Sequence, residues 1–198
     1  IIKLKDLIEK RSIGKIYSCH IHHGEHIDDF HPYEDYKISY ASRKNLGGGV
    51  VLTQAHEIDY ILFLFKKYKK DILKSFSSKI SNLKIDVEDF LEAQLKLENK
   101  KKQIIFCNLH LNYFERPKKR EIILLGKNGK IECDLNKLEI NIFKNKNLKK
   151  IKFNVNRNEI FKKQLRYFFK CIKSKKKINN DYDILNGIKS LKIAMELK

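Results

Sequence analysis

The stretch Gly47-Gly48-Gly49-Val50-Val51-Leu52-Thr53-Gln54-Ala55-His56-Glu57-Ile58-Asp59-Tyr60 joins three glycines to a hydroxyl, an imidazole and two carboxylates within one short segment. Consecutive glycines let a backbone turn sharply or approach another group closely, because no Cβ intervenes. Thr53 is a good helix N-cap residue, and Ile58, Ile61, Leu62 and Phe65 then follow at the spacing of one apolar helix face. That spacing predicts His56 in the first turn, with its side chain in the crevice the glycines open. An imidazole there can give or take a proton near neutral pH. Asp59, one turn on, is placed either to hydrogen-bond that ring or to pair elsewhere. The plain alternative is a flexible glycine turn followed by a polar cap, and residue types alone do not separate the two.

Upstream, Asp28 to Lys44 is a long polar and aromatic connection containing Pro32. Connections of that length are commonly functional. Tyr33, Tyr36 and Tyr40 are of a type to stack on or hydrogen-bond a ring-shaped ligand, or simply to pin the loop down. Lys37 and Arg43 are candidates for an anionic substrate group. Histidines 20, 22, 23 and 26 raise the question of a metal. A bound zinc needs three or four convergent ligands, and no cysteine or carboxylate completes a recognisable spacing with them, so no metal is expected. The cysteines, Cys19, Cys107, Cys133 and Cys171, form no C-x-x-C pair and read as free thiols of a reducing cytoplasm.

These residues need a frame. Residues 1–11 read as the end of a helix stopped by Gly14. Residues 16–23 alternate, with Cys19 and Ile21 on one face and His20 and His22 on the other. The helix bearing His56 is expected to run to about Lys70. Strands are expected over residues 72–81, 90–98 and 103–113. Two hairpins are expected, 120–125 with 130–135 around Gly126-Lys127-Asn128-Gly129, and 138–143 with 148–153. Two helices, residues 159–174 and 181–197, close the chain. The order predicts one α+β domain over residues 1–198: an open, mostly antiparallel β-sheet with helices packed on one face.

The chain has 198 residues, enough for a substantial core, and no apolar run long enough for a bilayer. Its net charge is +19, which invites a nucleic-acid partner. Only six of the 43 basic residues are arginine, however, and base and phosphate readers favour the bidentate arginine fork. Lysine runs at 100–102 and 175–177 fall at expected turns. A solvated lysine surface therefore fits better, and it would still attract a polyanionic small substrate.

The triple glycine followed by His56-Glu57-Ile58-Asp59-Tyr60 resembles the signature of the Gfo/Idh/MocA oxidoreductases, in their C-terminal substrate domain. His31-Pro32-Tyr33-Glu34-Asp35-Tyr36 and Ser39-Tyr40-Ala41-Ser42-Arg43-Lys44 resemble the run that precedes the glycines in a branch linked to surface-sugar biosynthesis. The resemblance implies hydride transfer between NAD or NADP and a carbon of a sugar or nucleotide sugar. It implies His56 as the active-site histidine. Thr53 stands where many members have an aspartate, and Leu52 occupies the other position used, so neither alignment supplies that carboxylate. In the family the cofactor is held by an N-terminal Rossmann domain. No Gly-x-Gly-x-x-Gly follows a strand here, so no cofactor-binding residue is expected in this chain, which reads as a C-terminal part opening inside a helix.

Catalysis is thus expected from His56 and Thr53, and substrate contact from Tyr36, Lys37, Tyr40, Arg43 and Asp59. The enzyme is expected in the cytoplasm and assembled as a homo-oligomer through the open sheet face. Two other readings compete: a non-catalytic oligomerisation or binding module, and a basic nucleic-acid-binding domain.

Overall fold

Strict alternation builds the centre of the sheet. In β3 (Phe90–Asn99), Leu91, Ala93, Leu95 and Leu97 are buried while Glu92 and Gln94 point outward. The same period-two pattern shapes β1 (Ile16–Gly24), β4 (Ile104–Asn112), β5 (Lys119–Gly126), β6 (Gly129–Asp134) and β7 (Glu139–Lys144). The computed structural model describes residues 1–174 and 183–198. With β2 (Tyr68–Ser78) and β8 (Asn147–Lys152), the strands form one eight-stranded sheet in the order β2-β3-β4-β1-β5-β6-β7-β8. Every neighbouring pair is antiparallel except β1 and β4. Strand β1 is thereby inserted at mid-sheet between two strands that come much later in the chain.

One face of the sheet is covered. Leu4 and Leu7 of α1 (Ile2–Glu9), Val50 and Val51 of α2 (Val50–Thr53), Ile58, Ile61 and Leu64 of α3 (His56–Leu64), and Ala194 and Leu197 of α5 (Ile184–Leu197) join the inward-facing strand residues in one core. This is the expected α+β architecture. Helix α4 (Arg157–Ser174) leaves Ile160, Leu165, Phe168, Phe169 and Ile172 exposed. No helix among the described residues is long and apolar enough to cross a membrane. The lysine run at 175–177 and the expected start of the last helix at 181 lie outside the described residues. Cys19, Cys107 and Cys133 are buried free thiols, and Cys171 is free and partly exposed.

The structure corrects two element boundaries. The His56 helix stops at Leu64 instead of continuing to Lys70, and β2 begins at Tyr68. The Phe65 carbonyl accepts from the Tyr68 N–H at 2.9 Å in the turn that follows, and Lys70 Nζ adds a second bond to it at 2.7 Å. Thr53 is not an N-cap: it is the last residue of α2, whose N-cap is Gly49, and α3 begins afresh after Ala55.

Each of the three glycines is required for its own reason. Gly47 (φ +78°) and Gly49 (φ +111°) hold backbone conformations that L side chains rarely adopt. A Cβ on Gly48 would stand 2.5 Å from the Tyr40 carbonyl oxygen and 2.6 Å from that of Ala41. Gly49 N–H donates to the Ala41 carbonyl, and Val50 N–H donates to Glu88. The glycines therefore dock the loop of residues 40–43 against the start of α2. They do not widen the crevice beside His56.

Candidate active site

The short α2 and the break at Gln54-Ala55 bring Thr53, Gln54 and His56 to one side of the helical layer. There they meet the end of β1 and the start of β5. His23, Glu25, Asp29, Phe30, His31, Thr53, Gln54, His56, Lys118, Arg120 and Asn136 enclose a cavity of about 490 Å³. Beside α1 a hollow of about 540 Å³ gathers Lys5, Arg11, Lys66 and Lys67 with a single acid, Glu9, and no histidine. That hollow can attract anions, but it has no pair of groups suited to proton transfer.

Glu57, fully buried beneath the first cavity, organises the charges. Its Oε1 lies 2.7 Å from Arg120 Nε, 3.2 Å from His56 Nε2 and 3.3 Å from His23 Nδ1. Arg120 also donates from Nη2 to the Tyr60 hydroxyl at 3.1 Å and lies over the Tyr60 ring. The His56 ring is tilted against His23, with centroids 5.3 Å apart, and meets Tyr60 edge-on. Burial opposes charge on Glu57, but His23, His56 and Arg120 outweigh it and hold its pKa down at about 2. Burial likewise opposes a proton on His23, yet the carboxylates Glu25 and Glu57 prevail and raise its pKa. Glu25 is held below the ordinary carboxylate range by His23, with Lys118 adding to the effect.

Buried polar atoms without hydrogen-bond partners concentrate here. They are Thr53 Oγ1, Gln54 Oε1, Glu57 Oε2 and His23 Nδ1, the last close to Glu57 but poorly aligned with it. The Tyr113 phenol near Thr53 is held protonated by burial, and it donates at 3.5 Å to the Ala41 carbonyl. Such orphans are uncommon in folded proteins and call for an explanation. All four atoms are shielded from solvent: Thr53, Gln54 and His23 belong to the cavity wall, and Glu57 lies beneath it.

The expected site residues divide. His56, with 41% of its side chain exposed, and Thr53 line the cavity together. Asp59 does not reach the His56 ring: it accepts from Ser190 of α5 at 2.8 Å. Tyr36, Lys37, Tyr40 and Arg43 are not among the cavity walls. The Tyr36 hydroxyl accepts from Lys84 N–H, Lys37 stands 3.8 Å from Asp35, and Arg43 lines a separate hollow with residues 82–86. The sequence reading missed Glu57, Arg120, Gln54 and the role of His23. Glu57 adjoins His56 and was available as a signal, whereas Arg120 enters through sheet pairing, which no local pattern announces.

His23, His56 and Glu57 also lie close enough to suggest a metal. The Arg120 guanidinium already neutralises the carboxylate such an ion would need, so proton chemistry fits this cluster better.

The sequence matches the GFO/IDH/MocA C-terminal domain over residues 1–132. No curated protein matches it. Among solved structures, levoglucosan dehydrogenase in complex with NADH superposes with a TM-score of 0.75 at 13% identity, over 98% of this chain and 58% of that one. UDP-N-acetylglucosamine 3-dehydrogenase from Acidithiobacillus ferrooxidans gives 0.67 at 12% identity, over 97% and 55%. An inositol dehydrogenase homolog complexed with NAD+ from Azotobacter vinelandii gives 0.63 at 10% identity, over 79% and 41%. The chain thus spans little more than half the length of the solved structures it matches most fully.

Proposed function

This chain belongs to the GFO/IDH/MocA family, and from that premise we propose that it is the substrate-binding, proton-transferring part of a cytoplasmic NAD(P)-dependent sugar or nucleotide-sugar oxidoreductase. The observation that supports this reading most strongly is the grouping of half-exposed His56, backed by the buried Glu57 carboxylate, with His23, Thr53, Gln54, Lys118 and Arg120 around one polar cavity. Sugar hydroxyls both donate and accept, and such a wall can serve both roles.

The chain's own residues do not fit a dinucleotide. Its triple glycine packs against loops, and no glycine-rich turn after a strand is present to cradle a pyrophosphate. A nicotinamide would have to be presented from another domain, and its chemistry is hydride transfer. What this chain can supply is the proton. The Glu57 carboxylate at 3.2 Å favours a proton on His56 Nε2, leaving Nδ1 as the lone pair for a substrate hydroxyl. As the carbon is oxidised, that hydroxyl proton passes to Nδ1, and Glu57 stabilises the imidazolium that forms. Thr53 lines the cavity beside His56 with its Oγ1 turned inward, and a threonine cannot act as a base. Lys118, exposed at the rim, can attract an anionic group.

The test is reduction of NAD or NADP by the intact protein, followed by nicotinamide absorbance across sugars and nucleotide sugars. His56→Ala should lower turnover by about two to four orders of magnitude. Its unfolding free energy should change little, by an amount on the order of 0.5 kcal/mol, read from a melting curve. If His56→Ala retains full turnover, the assignment fails. If no sugar supports reduction while the protein still assembles, the non-catalytic module is the better reading.

A further inference from the structure

His22 and His23 are adjacent on β1 and so point to opposite faces of the sheet. His23 belongs to the cavity described above, whereas His22 faces away from the helices. The register places His22 beside His110 of β4, and His110 beside Glu92 of β3. The two imidazoles stack with centroids 4.5 Å apart. Glu115, just past the end of β4, turns back so that its Oε2 lies 2.6 Å from His22 Nε2. One ligating atom from each of His22, His110 and Glu115 lies within 4.8 Å of the other two.

We propose that His22, His110 and Glu115 form a binding site for a divalent transition-metal ion of the zinc class. Two imidazoles and one carboxylate are the donor set that such ions favour, whereas calcium and magnesium prefer oxygen alone. Two further features point the same way. Glu92 Oε2 stands 2.6 Å from His110 Nδ1. It holds a proton there and leaves the Nε2 lone pair facing the cluster, the arrangement by which a carboxylate orients a metal-binding histidine. Gly24 then makes room. Any side chain at that position would collide with the Glu115 carboxylate and the Asn112 amide.

The Asn112 amide donates to both acceptors, 3.0 Å from His110 Nε2 and 2.8 Å from Glu115 Oε2. A cation would satisfy the same two lone pairs together with that of His22. Tetrahedral ligands about 2.1 Å from an ion stand about 3.4 Å apart. Glu115 would therefore back away slightly from His22 as the wider pairs closed in, and a fourth position would be left for water.

The site has a structural consequence. The residues after Glu115 reach the helix side of the molecule: Arg116 pairs with Asp29, Lys118 with Glu25, and Arg120 with Glu57. An ion fixing Glu115 to β1 and β4 would anchor the segment that delivers Lys118 and Arg120 to the His56 cavity.

The test is calorimetric titration of the metal-stripped protein with Zn²⁺, repeated with Co²⁺ to read its visible spectrum. One ion per chain is expected, with a rise in melting temperature and a cobalt spectrum of mixed nitrogen and oxygen ligation. His110→Ala and Glu115→Ala should each weaken binding at least tenfold, and Glu92→Gln by about tenfold. His56→Ala, which disrupts the other two-histidine cluster, should leave the affinity unchanged. Should His110→Ala fail to fold, Glu115→Ala decides the matter, with its fold checked by circular dichroism. The proposal is overturned by absence of stoichiometric uptake, by uptake that survives Glu115→Ala, or by uptake lost in His56→Ala.

Discussion

Glu57 carries more of the site than its place in the sequence suggests. One of its oxygens faces a guanidinium and two imidazoles, and the side chain has no exposure at all. Because the folded pKa is depressed to about 2, the stabilisation it provides is fully present above the ordinary carboxylate value of 4.5. It is lost as pH falls toward 2. His23 runs the other way: its raised pKa contributes stability below the ordinary 6.5 that is lost as pH rises through the folded value. Glu57→Gln should therefore lower stability near neutral pH by about 3 kcal/mol. The variant's melting temperature should also fall less steeply than the parent's between about pH 5 and pH 2. Thermal melts across that range check both expectations, and parallel pH profiles for parent and variant would refute them. His56 and Thr53 were legible from sequence because a short motif contains them. Glu57 was legible too and was passed over, since a carboxylate on a helix ordinarily reads as surface charge. Arg120 was not legible, because 63 residues separate it from Glu57, and it reaches the site through the β1–β5 pairing that sets it beside His23.

The same contrast recurs in the elements. Strands β3 to β7 were readable wherever one face is buried and the other wet, since alternation records that difference directly. The junction of α3 with β2 was not. Lys66, Lys67, Lys69 and Lys70 give no periodic signal, and Tyr68 suits either element. The chain leaves the helix in a turn in which the Phe65 carbonyl accepts from both the Tyr68 N–H and Lys70, contacts without a sequence signature. The triple glycine was readable as special but not as to why. Its geometry separates the three positions experimentally. Gly48→Ala drives a methyl group into two fixed carbonyl oxygens and should cost about 3 kcal/mol. A methyl group on Gly47 meets nothing within 4 Å, so Gly47→Ala incurs only left-handed backbone strain, about 1–2 kcal/mol. Denaturant titration of both variants measures the difference. Equal losses would mean that the loop of residues 40–43 is not docked through these glycines.

Across the whole molecule, helices α1, α2, α3 and α5 cover one sheet face, and the other presents Phe76, Phe106, Leu125 and Leu148 at 55%, 54%, 38% and 55% exposure. The register aligns Phe106, Leu125, Phe143 and Leu148 across the sheet, with Ser18 and Lys130 between them, while Phe76 lies apart beside Phe90; exposed apolar side chains so aligned mark association sites. The chain's charge of +19 does not prevent pairing through this face. Lys96 and Lys102 there pair with Glu98, Lys130 pairs with Glu132, and Lys150 and Lys152 pair with Glu139, which neutralises much of the local field. We therefore expect two copies to associate sheet to sheet. The sequence could announce which strand residues face away from the core. It could not show how far apart in the chain the members of one patch lie, because Phe106 of β4 reaches the centre only through β1's insertion beside it. Phe106→Asp places a charge among these aligned residues and, since Phe106 is exposed, alters no core contact. It should shift the protein toward monomer by at least tenfold in dimer dissociation constant, since one buried unpaired charge costs at least 1.4 kcal/mol. Sedimentation velocity across a concentration series reads this directly, with Leu46→Asp, at an exposed residue of the loop before Gly47, as a control that adds the same charge. A parent protein that stays monomeric throughout the series, or a Phe106→Asp variant that dimerises as the parent does, would show that the open face serves something other than self-association.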